Sequence, residues 1–192
     1  MARKYDMTAL ARQIGITKEE YFLTRDKGEL AYGLIKQQLE ETPEGQALVL
    51  VFPPNQLVDS SFADESAVRL GEEVLAGIYG ERCILFENLT EDSVKNLEGV
   101  LSLRGIKMPL LRVEERGGWN LMGNLEESLL NTLKLVHRRE YLTASDLALQ
   151  LKMAVNTAST RLKRLHNLHL VRREHEISEA GLQYLYYFWE WN

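Results

Sequence analysis

One stretch near the C-terminus concentrates side chains suited to touching nucleic acid. Asn156, Thr157, Ser159 and Thr160 are small polar groups that can reach base edges or phosphate oxygens. Arg161, Lys163 and Arg164 follow at once, and Arg172–Arg173 come one short segment later. Between Lys152 and Arg173 there are six Lys/Arg and no acidic residue. Such a stripe is what phosphate neutralisation needs, because affinity for a charged duplex comes largely from releasing its counterions.

Enzyme chemistry is harder to find, and the chain is read as a non-enzyme with no cofactor and no metal. None of the 13 Gly falls in a phosphate-cradling GxxxxGK or GxGxxG pattern. Neither an HExxH motif nor a Cys pair offers a zinc site. His166, His169 and His175 have a spacing that could hold a metal, but they read better as a helix end and a strand start. Cys83 lies inside an apolar run, where a thiol is an inert core residue. Glu72–Glu73 and Glu114–Glu115 are sequence neighbours, which do not face one site on a helix or strand.

The elements that must position these residues divide the chain in two. The apolar runs Ala47–Phe52, Cys83–Phe86 and 108–114 read as buried strands. Helical spacing over 27–41, 62–78 and 91–103 alternates with them, which implies a small α/β layer. In 59–65, Ser60 or Ser61 reads as the N-cap of the second of these helices, with Ser61-x-x-Asp64 approximating a capping box. Beyond a joint at Trp119–Asn124, helices are expected at 126–138, 144–152 and 155–167, then a short strand pair at 169–177 and a final helix at 179–190. Its predicted skeleton is Leu130, Leu133, Val136, Leu147, Leu151, Leu162 and Leu165, and Thr143 with Asp146 opens the second helix as a capping pair. Three helices and a two-stranded ribbon describe a winged helix-turn-helix. Its ribbon would be very short, with Glu174–His175–Glu176 at the tip. In the last helix Leu182, Leu185 and Trp189 would cover the core, leaving Tyr186, Tyr187 and Trp191 for a second copy of the chain.

Charge follows the same division. The formal net charge is −5 over 192 residues. Residues 1–125 hold 14 basic and 20 acidic side chains, a balance of −6, and residues 126–192 hold 9 and 8, a balance of +1. The whole-chain value therefore hides a basic segment inside an acidic protein. No apolar run approaches the ~20 residues of a membrane span, and the single Cys83 cannot form an internal disulfide, so a cytoplasmic protein with no membrane contact is expected.

Two resemblances sharpen the expectation. Residues 129–176, especially LTASDLALQLKMAVNTASTRLKRLHNLHLVRRE, resemble the winged helix-turn-helix of MarR/ArsR-type bacterial regulators. Residues 20–105 resemble the STAS-like family of unknown function through Ser61–Phe62–Ala63–Asp64–Glu65 and Thr24–Arg25–Asp26–Lys27–Gly28. The wider STAS family carries an Asp-Ser-Ser sequence after a strand, and the resemblance implies Ser60 as a phosphorylatable position, at a helix start where amides and dipole favour an anion. Phe62 stands where those proteins have Gly, and Asp59, Asp64 and Glu65 would oppose a phosphate.

The expectation is thus an α/β STAS-like N-terminal domain (1–122) plus a mainly α winged helix-turn-helix C-terminal domain (123–192). It would bind double-stranded DNA as a homodimer and regulate transcription, with a protein partner or signal acting on the STAS-like domain. The alternative is a non-enzymatic adaptor in partner-switching signalling.

Overall fold

The computed structural model describes residues 2–17, 22–115, 117–178 and 181–191. Residues 20–21 of the STAS-like stretch and 179–180 of the predicted last helix lie outside the described residues. Two compact units are present, one running to Asn124 and including Glu190 and Trp191, the other Leu125–Trp189.

In the first unit β1 (Arg3–Asp6), β2 (Ala47–Val51), β3 (Cys83–Glu87) and β4 (Leu110–Val113) are parallel and adjacent in chain order. An antiparallel edge strand, β5 (Trp119–Met122), completes the mixed sheet. Helices α1 (Met7–Gln13), α2 (Arg25–Glu41) and α5 (Glu91–Leu103) alternate with the strands. Between β2 and β3 runs a continuous helical stretch of α3 (Ser60–Ala63), a π-helical turn (Asp64–Val68) and α4 (Arg69–Leu75). Parallel crossovers are right-handed, so strands laid down in sequential order send every connecting helix to the same face. The core reflects this: Leu48, Leu50, Ile84 and Phe86 cluster with Leu10, Ile35, Leu39, Phe62, Leu70 and Leu97. The strand order never reverses, so this sheet lacks the switch point at which open α/β sheets form a ligand crevice.

The two motifs that carry the STAS-like resemblance meet in space. Asp59 is the N-cap of α3: its Oδ1 accepts the Phe62 N–H at 2.7 Å, and its Oδ2 accepts the Thr24 N–H at 3.3 Å. Arg25 pairs with Asp64 at 3.4 Å and with Glu65, and Arg104 reaches Asp64 at 3.1 Å. Gly28 has no room for a side chain, because a Cβ there would lie 2.8 Å from the Phe62 carbonyl oxygen. Thr24 itself sits at φ +74°, an unusual conformation for a β-branched residue. The Ser66 hydroxyl donates to the Phe62 carbonyl at 2.6 Å within the π-helical turn, a side-chain bond that competes with regular helix pairing.

The second unit contains α6 (Glu127–His137), α7 (Ala144–Leu151), α8 (Val155–Asn167), β6 (Val171–Ser178) and β7 (Gly181–Phe188). Thr143 and Asp146 form a reciprocal capping box on α7. Lys152 at φ +51° ends that helix in the left-handed region, and α8 begins three residues later. Leu129, Leu133, Val136, Leu147, Leu162 and Leu165 are buried, Leu129 taking the place expected for Leu130.

Here the expected architecture is overturned. The chain is α/β, with a five-stranded mixed sheet and a two-stranded antiparallel hairpin. It is not an α/β STAS-like domain followed by a mainly α winged helix-turn-helix domain. The segment read as a terminal helix is strand β7, paired with β6 from Val171↔Phe188 to Ser178↔Gly181. Leu182, Leu185 and Trp189 do have helical spacing, but Tyr184, Tyr186, Tyr187 and Phe188 favour a pleated strand, and burial alternates at Tyr186 and Phe188. Leu142 extends the hairpin by exchanging backbone bonds with Tyr186 at 2.9 and 3.0 Å. The ribbon is long, and Glu174–His175–Glu176 lie along β6 rather than at a tip. The Trp119–Asn124 joint is likewise largely strand β5.

Candidate nucleic-acid interface

α8 displays its polar residues as a consequence of what it buries. Ala158, Leu162 and Leu165 recur at helical spacing and turn inward. Asn156, Thr157, Ser159, Thr160, Lys163 and Arg164 are therefore exposed, and Arg161 is half-buried on the flank. The N-cap, Ala154, has no side chain able to occupy the helix's first amides. Thr160 is partly committed, since its hydroxyl donates to the Asn156 carbonyl at 2.9 Å.

The basic residues differ in what holds them. Arg164 Nη1 lies 3.0 Å from Glu126 Oε2, the N-cap residue of α6. A hydrogen bond from Ser128, then the Arg164 guanidinium, hold the Glu126 carboxyl below its ordinary range. The stripe that is free of acidic residues in sequence thus acquires one by folding. Arg172 pairs with Glu174 and stacks on Tyr187 with its guanidinium 4.0 Å from the ring centre. Arg173 stacks on Tyr184 at 4.5 Å. Both arginines therefore lie along the ribbon, held by π-faces, while Lys152 and Lys163 are exposed.

A groove of about 360 Å³ opens where the starts of α7 and α8 approach β7. It brings Asn156 and Ser159 together with Ser145, Gln183 and Tyr184; the sequence pointed to Tyr184 only as one of the C-terminal aromatics, and to Ser145 and Gln183 not at all. The missed signal was the alternation over 182–188, which places Leu182, Tyr184 and Tyr186 on one strand face.

Ser60 and Ser61 occupy the first turn of α3 and are exposed, while the cap is Asp59. The expected Ser cap is thus displaced by one residue: a carboxylate already accepts the Phe62 amide that a Ser61-based box would leave aside. Several of the C-terminal aromatics are likewise not on the surface. Tyr186, Trp189 and Trp191 are buried, with Trp189 Nε1 donating to the His169 carbonyl at 2.8 Å and Trp191 Nε1 to the Glu114 carbonyl at 3.0 Å. Of Tyr186, Tyr187 and Trp191, expected to face a second copy, Tyr186 and Trp191 are internal, and Tyr187 is half-buried beneath the Arg172 guanidinium.

Among the described residues no cluster of three His, Cys, Asp or Glu is disposed to hold a metal ion, and no helix is long and apolar enough to cross a membrane. Burial pushes the Cys83 thiol far above its ordinary value, which keeps it protonated and unreactive. No protein-family model matches the chain, and no curated protein matches it.

Proposed function

We propose that this protein binds double-stranded DNA through the exposed face of α8, flanked by the Arg172–Arg173 ribbon, and that it regulates transcription. The observation that carries the reading is the composition of that face. Asn156, Thr157, Ser159 and Thr160 lead into Lys163 and Arg164, all exposed on one 13-residue helix that bears no acidic side chain. Polar groups at the start of such a helix suit base edges, and cations further along suit phosphates. The acidic first unit, with its STAS-like motifs, would dock a protein partner or sense a signal. Fluorescence anisotropy with genomic fragments selected by the purified protein tests this: binding that weakens steeply with salt is expected, and salt-independent or absent binding overturns it.

A second reading has one observation in its favour. Ile177 and Leu182 are cross-strand neighbours on the ribbon and are 81% and 59% exposed. An exposed apolar pair suits a protein partner, as the adaptor role in partner switching requires. An adaptor would show no salt-dependent retention on DNA.

A further inference from the structure

We propose that α8 reads A·T base pairs in a major groove, with Asn156 pairing with an adenine and Thr160 packing its methyl on the methyl of a nearby thymine. The inference deepens the DNA-binding reading and rests on it. Ala158, Leu162 and Leu165 turn inward, so at the helical repeat the positions most nearly opposite them are 156, 160 and 163. Asn156, Thr160 and Lys163 therefore form one exposed stripe. The first two offer different chemistry. Asn156 carries a side-chain amide, a donor and an acceptor side by side. Thr160 has spent its hydroxyl proton on the Asn156 carbonyl at 2.9 Å, so its methyl is the part of the side chain not engaged with the helix.

Those two groups select among the base-pair patterns of a major groove. Adenine presents its N7 acceptor beside its N6 amino donor, the complement of an Asn amide, and thymine alone presents a methyl. Guanine is matched by paired donors from Arg or Lys, and cytosine by a carboxylate. Residues 155–160 read Val-Asn-Thr-Ala-Ser-Thr and contain neither kind of group. The spacing agrees with the chemistry. Side chains four residues apart on a helix have Cβ atoms ~5–6 Å from each other, and successive bases of a strand are ~3.4 Å apart. Asn156 and Thr160 thus reach bases one or two steps apart. Reading helices of this general kind contact base edges through their N-terminal residues. Lys163 continues the stripe one turn later, where a cation meets phosphate and adds affinity without choosing a sequence.

The test uses the full chain and duplexes selected from a randomised pool, compared by anisotropy at fixed salt. In a selected duplex each thymine in turn is replaced by uracil, which removes only the methyl. Each adenine in turn is replaced by 2-aminopurine, which keeps N7 and lacks the N6 amino group. At one thymine, uracil should weaken binding about fourfold, the scale of one buried methyl. At an adenine one or two steps away, 2-aminopurine should weaken it about tenfold, the scale of a bidentate pair. Thr160→Ser keeps the hydroxyl and should bind the thymine and uracil duplexes alike, whereas Thr160→Val keeps a methyl and should still prefer thymine. Asn156→Ala should bind the adenine and 2-aminopurine duplexes alike. Equal binding of thymine and uracil duplexes by the natural chain, or a thymine preference that survives Thr160→Ser, overturns the proposal. If these preferences are missing while duplex binding still weakens steeply with salt, this inference alone falls. Absence of salt-dependent binding to any duplex overturns the DNA-binding reading together with it.

Discussion

Arg164 and Glu126 face each other at 3.0 Å, joining α8 to the start of α6. Both side chains are about half exposed, at 52% and 54%. An exposed pair of this kind is screened by water and holds only weakly, so a phosphate brought to Arg164 would displace the carboxylate readily. Under the proposed DNA-binding role, Glu126 would compete with DNA phosphate for Arg164. Glu126→Gln is expected to raise duplex affinity severalfold at low salt, and anisotropy titrations would show unchanged or weaker binding if Arg164 does not reach phosphate.

The cations of α8 should differ from its polar residues in their effect on salt dependence. Lys163→Ala is expected to lower affinity evenly across sequences and to reduce the slope of log K against log salt by about one. Arg161→Ala combined with Arg164→Ala should abolish binding. Asn156→Ala should instead relax sequence preference, by ~1–3 kcal/mol between preferred and altered sites. Titrations at several salt concentrations separate these cases, and retention of the double variant on DNA would remove α8 from the interface.

The contact between α2 and α3 makes a matched pair of glycines informative. Gly28→Ala brings a Cβ to 2.8 Å from the Phe62 carbonyl oxygen, whereas Gly33, in the same helix, has nothing within 4 Å. Overpacking against backbone costs about 1–3 kcal/mol, and replacing an exposed helical Gly by Ala gains about 0.5–1 kcal/mol. Denaturant unfolding should move in opposite directions for the two variants. A shift in the same direction would mean that α2 does not press on α3 as described.

Capping by Asp59 predicts a second contrast. Asp59→Ala removes the acceptor for the Phe62 and Thr24 amides and should cost about 0.5–2 kcal/mol. Ser60→Ala, at an exposed first-turn position, should be close to neutral in the same unfolding assay. Equal losses would return the cap to the serines.

His137 gives the second unit a dependence on pH. Burial, and after it the neighbouring Arg138, lower its pKa below the ordinary 6.5, and its ring packs edge-on against Phe188 at 4.9 Å. As pH falls, the unfolded chain takes up this proton before the folded one does, so folding is penalised. The full stability is present above the ordinary value of 6.5, declines as pH drops through it, and levels off once the folded histidine is protonated too. Melting followed by Trp fluorescence at pH 7.5 and 5.5, values ~1 unit either side of the histidine range, should show a drop that His137→Gln reduces.

Much of the scaffold could be read from local pattern. Continuous apolar runs marked β2, between Gly45 and Pro53, and β3, shortly after Gly80, and the spacing of Leu162 and Leu165 marked the inward face of α8. Thr143 and Asp146 announced the start of α7 through a bond that spans three residues. Each of these signals lies within one element, where period and capping chemistry are set by neighbours along the chain. The last strand was misread for the same reason. Leu182, Leu185 and Trp189 fit a helix locally, and only pairing with β6 selects the period of two.

The sequence alone determined which side chains α8 turns outward, because the buried Ala158, Leu162 and Leu165 leave the remaining positions no other direction. It also determined that basic residues gather at 152–173 in an otherwise acidic chain. Tertiary structure decided what those residues face. Glu126 stands 38 positions from Arg164 and becomes its partner only when α6 packs beside α8, and Tyr184 meets Asn156 across the groove only because β7 returns toward the helix starts. Interactions over a few residues follow from backbone geometry, whereas contacts between distant segments depend on which packing buries the apolar faces together.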